Sequence, residues 1–146
     1  MIRKMEPADA DRVGEIWLEA NREAHSFIPA SYWEENFPAV REMLPLAEVY
    51  IWEDRGEIQG FVGLNGDYIE GIFVKGSCRS AGVGRKLMDH CKETRSSLRL
   101  NVYEKNRRAL AFYLREGFQI TAEGVDEATE EREYGMEWRK RNSSKI

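Results

Sequence analysis

The sequence predicts an α/β domain built on a mixed central sheet. Three observations carry that prediction. Short period-two apolar runs alternate with helical stripes along the chain. Turn signals separate them at close intervals. A glycine-containing loop joins a strand directly to a helix in the middle of the chain. The 146 residues suit one compact domain, expected over 1–139, with a flexible polar tail over 140–146.

The elements follow in order. Ile2–Met5 reads as a short first strand. Pro7 suits the first turn of a helix, and Val13, Ile16, Trp17 and Ala20 recur at helical spacing, so the first helix is expected over Ala8–Glu23. Ser31-Tyr32-Trp33-Glu34 has the form of a capping box and predicts the start of a second helix, which Pro38 would kink or split. Val49–Glu53 and Ile58–Leu64 alternate at period two around the turn Asp54-Arg55-Gly56. Asn65-Gly66-Asp67 is a second turn, and Tyr68–Val74 completes an antiparallel meander. Val83, Leu87 and Cys91 share a stripe with Met88 beside it, which predicts a helix over Val83–Thr94 with His90 facing solvent. Leu98–Tyr103 is a strand, Arg107–Glu116 a helix stopped by Gly117, and Phe118–Val125 and Glu133–Trp138 are closing strands.

Composition removes several classes. Hydrophobic residues at 42% with charged residues at 33% are globular proportions, unlike collagen, a disordered chain or a disulfide scaffold. No apolar run approaches the ~20 residues of a membrane span, and charge breaks Met1-Ile2-Arg3-Lys4 at once, unlike a signal peptide. Cys78 and Cys91 make neither a framework nor a metal site, which leaves the reducing cytoplasm as the default compartment. The net charge of −4 speaks against a general nucleic-acid binder. Either a monomer or a homodimer is compatible with the sequence.

The chemistry is expected in the loop Cys78-Arg79-Ser80-Ala81-Gly82-Val83-Gly84-Arg85-Lys86. Glycines there let a ligand approach the backbone. Free N–H groups at a helix start carry about half a positive charge together, which suits a phosphate or pyrophosphate. A P-loop is absent, and Leu87 stands where a dinucleotide fingerprint needs its third glycine. On the glycines alone, a plain strand-to-helix turn remains an equal alternative.

Arg79-x-x-Gly82-x-Gly84 resembles the acetyl-CoA loop of the GNAT N-acetyltransferase family. Further on, Asn106-x-x-Ala109-x-x-Phe112-Tyr113-x-x-x-Gly117-Phe118 is similar to that family's second signature. The front of the chain, with His25-Ser26-Phe27-Ile28 and Tyr32, resembles a small single-domain bacterial subgroup, some members of which acetylate protein lysines. The resemblance implies the GNAT fold, a mixed sheet of about seven strands flanked by about four helices.

It also implies roles. The pantetheine arm of acetyl-CoA would lie between two splayed parallel strands, bonded by the backbone of Ile72, Phe73 and Val74. Arg79 and the amides of Gly82, Val83, Gly84 and Arg85 would hold the pyrophosphate, and Asn106 would help fix the co-substrate or cap a helix. Tyr113 matches the tyrosine that serves the departing thiolate, with an aromatic core residue as the alternative. Glu70 lies near where some members carry a general base, although strand alternation would equally aim it at solvent. His25, Phe27 and Tyr32 fall in the region that covers the acceptor, expected to be a protein lysine or a small cationic amine. No metal is implied. Gly76 stands where many members have proline. A non-catalytic acyl-CoA-binding module and a toxin-like transferase acting on aminoacyl-tRNA are the competing readings.

Overall fold

The computed structural model describes residues 1–79 and 81–141. Ser80 of the glycine loop and most of the expected tail, 142–146, lie outside the described residues. Among the described residues seven strands form one sheet: β1 (Ile2–Lys4), β2 (Glu48–Asp54), β3 (Glu57–Asn65), β4 (Tyr68–Val74), β5 (Ser97–Tyr103), β6 (Gln119–Asp126) and β7 (Glu131–Arg139). Four helices flank it: α1 (Ala10–Ala24), α2 (Ala30–Met43), α3 (Val83–Thr94) and α4 (Arg107–Arg115). The strand order is β1-β2-β3-β4-β5-β7-β6. Every neighbouring pair is antiparallel except β4 and β5, which run parallel. The expected mixed α/β sheet is therefore the observed one.

Local chemistry sets the elements. Arg55 and Gly56 both adopt positive φ, 54° and 76°, and close the β2–β3 hairpin in two residues. Turns with both central residues in that region twist as the flanking strands do. Alternation along the strands makes two cores. On one face, Val49, Ile51, Ile58 and Phe61 meet Val13 and Ile16 of α1. On the other, Val62, Leu64, Ile69, Leu98, Leu100 and Val102 meet Leu87, Met88 and Cys91 of α3 and Tyr113 of α4. Each large side chain buried this way contributes about 1.5–3 kcal/mol.

Three local expectations differ from the structure. The second helix begins at Ala30 with Pro29 as its N-cap, so Ser31 lies in the first turn and no side chain caps the end. Pro29 holds the extended conformation, φ −54° and ψ 136°, that sets the chain up one residue earlier. Pro38 does not split that helix, which runs unbroken to Met43. Pro38 and Glu34 are both exposed, so the Glu34 carbonyl that loses its helix partner is left open to solvent. His90 is half-buried rather than solvent-facing, because the Tyr50 ring lies 4.5 Å from it.

Candidate active site

The site begins as a failure of pairing. β4 and β5 meet in register at one pair, Tyr68 opposite Arg99, where the Arg99 amide donates to the Asp67 carbonyl at 2.9 Å. Beyond it the two strands part. One edge of β4 stays bonded to β3, with Ile72 opposite Val62, Phe73 opposite Phe61 and Val74 opposite Gly60. Among the described residues the other edge has no partner strand there, so backbone donors and acceptors face the gap. The parting opens a cleft of about 1190 Å³. Residues of α1 and α2 line it from one face of the sheet, and the starts of α3 and α4 from the other.

The start of α3 forms one wall. Gly82 adopts φ 81°, and a Cβ built on it would meet no atom within 4 Å. Glycine is thus required by the backbone conformation, and it leaves open space before the helix. The first intrahelical bond runs from the Lys86 amide to the Gly82 carbonyl at 3.0 Å. The amides of Val83, Gly84 and Arg85 precede it and belong to the unpaired first turn. Gly84 brings α3 close to α4: a Cβ there would lie 3.6 Å from the Phe112 ring. Arg79 lines the cleft too, paired with Glu23 of α1 at 2.7 Å. Gly76 makes room for that pair, since a Cβ there would sit 3.3 Å from the Glu23 carboxylate.

The start of α4 forms another wall. Asn106 caps the helix, its Oδ1 accepting from the Ala109 amide at 3.3 Å. About two turns on, Tyr113 is 7% exposed and lines the cleft from the core side. Its ring packs against Phe112 and Phe118 at centroid distances of 5.4 and 5.7 Å. Burial, and then the neighbouring Cys91 and Tyr68, push its hydroxyl well above the ordinary tyrosine range. It therefore remains a protonated donor.

Glu70 reaches the cleft because β4 is bulged. Gly63 pairs with Gly71 and Leu64 with Ile69, so Glu70 is an extra residue in the ladder. The bulge reverses the alternation: Ile69 and Ile72, three positions apart, both pack on the α3 side. Glu70 is exposed at the wall of the cleft. Glu133 is a second carboxylate there, raised above its ordinary pKa by burial and by Asp126. Asp126 accepts from the Tyr103 hydroxyl at 2.5 Å.

His25 stands at the opposite wall, stacked on Trp33 with Tyr103 edge-on. Phe27 and Tyr32 do not line this cleft. They line a smaller hollow of about 250 Å³ with Glu35 and Thr129. Tyr32 packs edge-on against Trp33 at 4.9 Å. The remaining residues singled out from the sequence all border the main cleft: Glu70, Ile72, Phe73, Val74, Arg79, Gly82, Val83, Gly84, Arg85, Asn106 and Tyr113. Glu133, one of the acids that the sequence crowds into the last hairpin, borders it as well, and so do Asn101 and Tyr103, which were missed. For Asn101 and Tyr103 the signal exists, since they sit on the face of β5 opposite the buried Leu98, Leu100 and Val102.

The model of the acetyltransferase (GNAT) domain matches residues 45–120, which is more than half of the chain. The chain belongs to the GNAT acetyltransferase family. Among its relatives, peptidyl-lysine N-acetyltransferase YiaC of Escherichia coli (strain K12) is 33% identical over 140 residues, covering 94% of this chain and 96% of that protein. Peptidyl-lysine N-acetyltransferase YjaB of the same strain is 31% identical over 121 residues, 82% of each. The solution structure of apo-form YjaB from Escherichia coli superposes with a TM-score of 0.86 at 28% identity, over 97% of this chain and 98% of that one. The structure of yncA from Salmonella typhimurium with its cofactor acetyl-CoA shares the fold at 17% identity, with a TM-score of 0.66 over 100% and 96% of the two chains. As a GNAT acetyltransferase, this chain is an enzyme with acetyl-CoA as its co-substrate.

Proposed function

We propose that the cleft between β4 and β5 joins acetyl-CoA to a primary amine by direct attack in a ternary complex, and that the amine is a protein lysine or a small cationic amine. The observation that carries this reading is the single Tyr68–Arg99 pair, which leaves a β4 edge and a helix start bordering one cleft. In this reading the backbone of Ile72, Phe73 and Val74 bonds the pantetheine arm as an added strand. Amides of Gly82, Val83, Gly84 and Arg85, with Arg79, receive the pyrophosphate.

The amine nitrogen bonds to the thioester carbonyl carbon, the C–S bond breaks, and one amine proton leaves. Donors on β4 near Ile72 polarise the carbonyl. A lysine ammonium costs about 4.6 kcal/mol to deprotonate at pH 7, so a carboxylate that draws the proton away accelerates attack. Glu70, at its bulge, is that base, acting directly or through water. Tyr113 steadies the departing sulfur by donating a hydrogen bond. Its raised pKa makes full transfer to a thiolate uphill by more than the roughly 2 kcal/mol of an ordinary tyrosine.

Support for the acceptor class comes from the two relatives, both peptidyl-lysine N-acetyltransferases, and from the carboxylates Glu70 and Glu133 at the cleft wall. No helix among the described residues is long and apolar enough to cross a membrane, and the cytoplasm is the compartment we assign. The test is thiol release from acetyl-CoA with a panel of amines and lysine peptides. Release with lysine side chains supports the reading, and release with none of the amines contradicts it.

A further inference from the structure

Asn106 carries one carbonyl and two N–H donors on its side chain. The carbonyl is committed to capping α4, which settles the way the amide faces. Its Nδ2 then lies 3.1 Å from Nε2 of His25, a residue 81 positions earlier in the chain. An amide nitrogen donates and does not accept. Nε2 is therefore the acceptor, and the imidazole proton sits on Nδ1.

The surroundings of His25 agree with a neutral ring. It stacks on Trp33 at 5.2 Å, with Tyr103 and Phe27 edge-on at 5.0 and 5.7 Å. The charged groups nearby are engaged elsewhere. Glu23 pairs with Arg79, Lys105 with Glu131, and Asp126 accepts from Tyr103. Burial alone lowers the imidazole pKa to about 4, and Nδ1 is buried without a partner among the described residues. Such a ring is a poor proton relay at neutral pH, but a well-held acceptor.

We infer that His25 is a positioning residue: by accepting from Asn106 Nδ2 it locks the amide that caps α4 and turns the second Asn106 N–H toward the co-substrate. The contact ties the C-terminal end of α1 to the start of the helix that carries Tyr113. This inference rests on the reading of Asn106 as a co-substrate contact, and the experiment separates the two.

Coenzyme A binding is measured by calorimetry for the parent, Asn106→Ala, His25→Phe and His25→Gln. The phenylalanine keeps a ring against Trp33 and removes the acceptor, whereas glutamine offers a carbonyl in its place. A lost hydrogen bond predicts binding about fivefold weaker in His25→Phe, with His25→Gln within about twofold of the parent. Parent affinity in Asn106→Ala overturns the reading of Asn106 and this inference with it. A weakened Asn106→Ala beside a His25→Phe of parent affinity overturns the inference alone.

The second measurement is a long-range nitrogen–proton correlation of the His25 ring in the unaltered protein, and it does not depend on how the variants fold. At neutral pH it should show a proton on Nδ1 and a bare Nε2. In Asn106→Asp the carboxylate accepts instead, and a proton should appear on Nε2. A proton on Nε2 of the unaltered protein overturns the inference.

Discussion

The Glu23 carboxylate lies 2.7 Å from the Arg79 guanidinium, tying the last turn of α1 to the loop before α3. An internal carboxylate thus holds the arginine that the proposed reading gives to the pyrophosphate. Both partners are partly exposed, so the pair is worth at most about 1 kcal/mol. Glu23→Gln should release Arg79 and tighten coenzyme A binding by about threefold at low salt, a gain that shrinks as salt screens both contacts. Calorimetry at two ionic strengths checks it, and weaker binding by the variant would count against a competing role for Glu23.

The glycines before and within α3 should resist substitution for different reasons. Gly82→Ala places a side chain at φ 81°, which costs about 1 kcal/mol or more of backbone strain although nothing crowds the Cβ. Gly84→Val points branched methyls toward the Phe112 ring, which a Cβ already approaches to 3.6 Å. Both should weaken coenzyme A binding, and Gly84→Val should also lower the melting temperature. Unchanged affinity in both variants would remove the pyrophosphate from this turn.

Removing the Tyr113 hydroxyl should affect turnover and spare binding. The ring contacts with Phe112 and Phe118 survive in Tyr113→Phe, so the fold is retained. Turnover should drop by about tenfold or more, as expected for losing a donor to developing charge, with little change in affinity for acetyl-CoA. Steady-state kinetics beside calorimetry makes the distinction, and equal turnover would show that another group serves the sulfur.

Stability should fall with acid in two stages. His25 has a folded pKa of about 4 against an ordinary 6.5. Between those values the unfolded chain takes up a proton that the folded one refuses, so stability declines as pH drops through that window. Asp9, bonded by Arg3, and Glu48, bonded by Arg95, are held below their ordinary values of 3.8 and 4.5. Their contribution is present above those values and lost as pH falls below them. Thermal melts followed from about pH 8 to about pH 3 should show both stages. His25→Phe should flatten the first, and Arg3→Met should reduce the second by the share that Asp9 carries while leaving that of Glu48. A first stage that persists in His25→Phe would mean that another group titrates there.

Much of this was legible in the sequence because it depends on local chemistry. The β4–α3–β5 unit follows from two apolar runs, a helical stripe and glycines between them, and the structure has it at nearly the expected bounds. The aim of Glu70 was not legible, because it depends on a bulge. Strict alternation puts Ile69 and Ile72 on opposite faces, and only the pairing with Leu64 and Val62 shows that they share one. The helix start at Ala30 was hidden by a capping pattern at Ser31 that the fold does not use. The contact between His25 and Asn106 had no signal at all, since it exists only once α1 ends and α4 begins at the same opening. Phe27 and Tyr32 looked equivalent to His25 as neighbours in sequence, yet the turn after α1 sends them to a separate hollow.

The most direct test of the account follows the backbone amides by NMR while coenzyme A is added. The largest shifts should fall at Val83, Gly84 and Arg85 and along Ile72–Val74, with saturable heat in a parallel calorimetric titration. Absent heat, or shifts confined to residues outside the parting of β4 and β5, would contradict it.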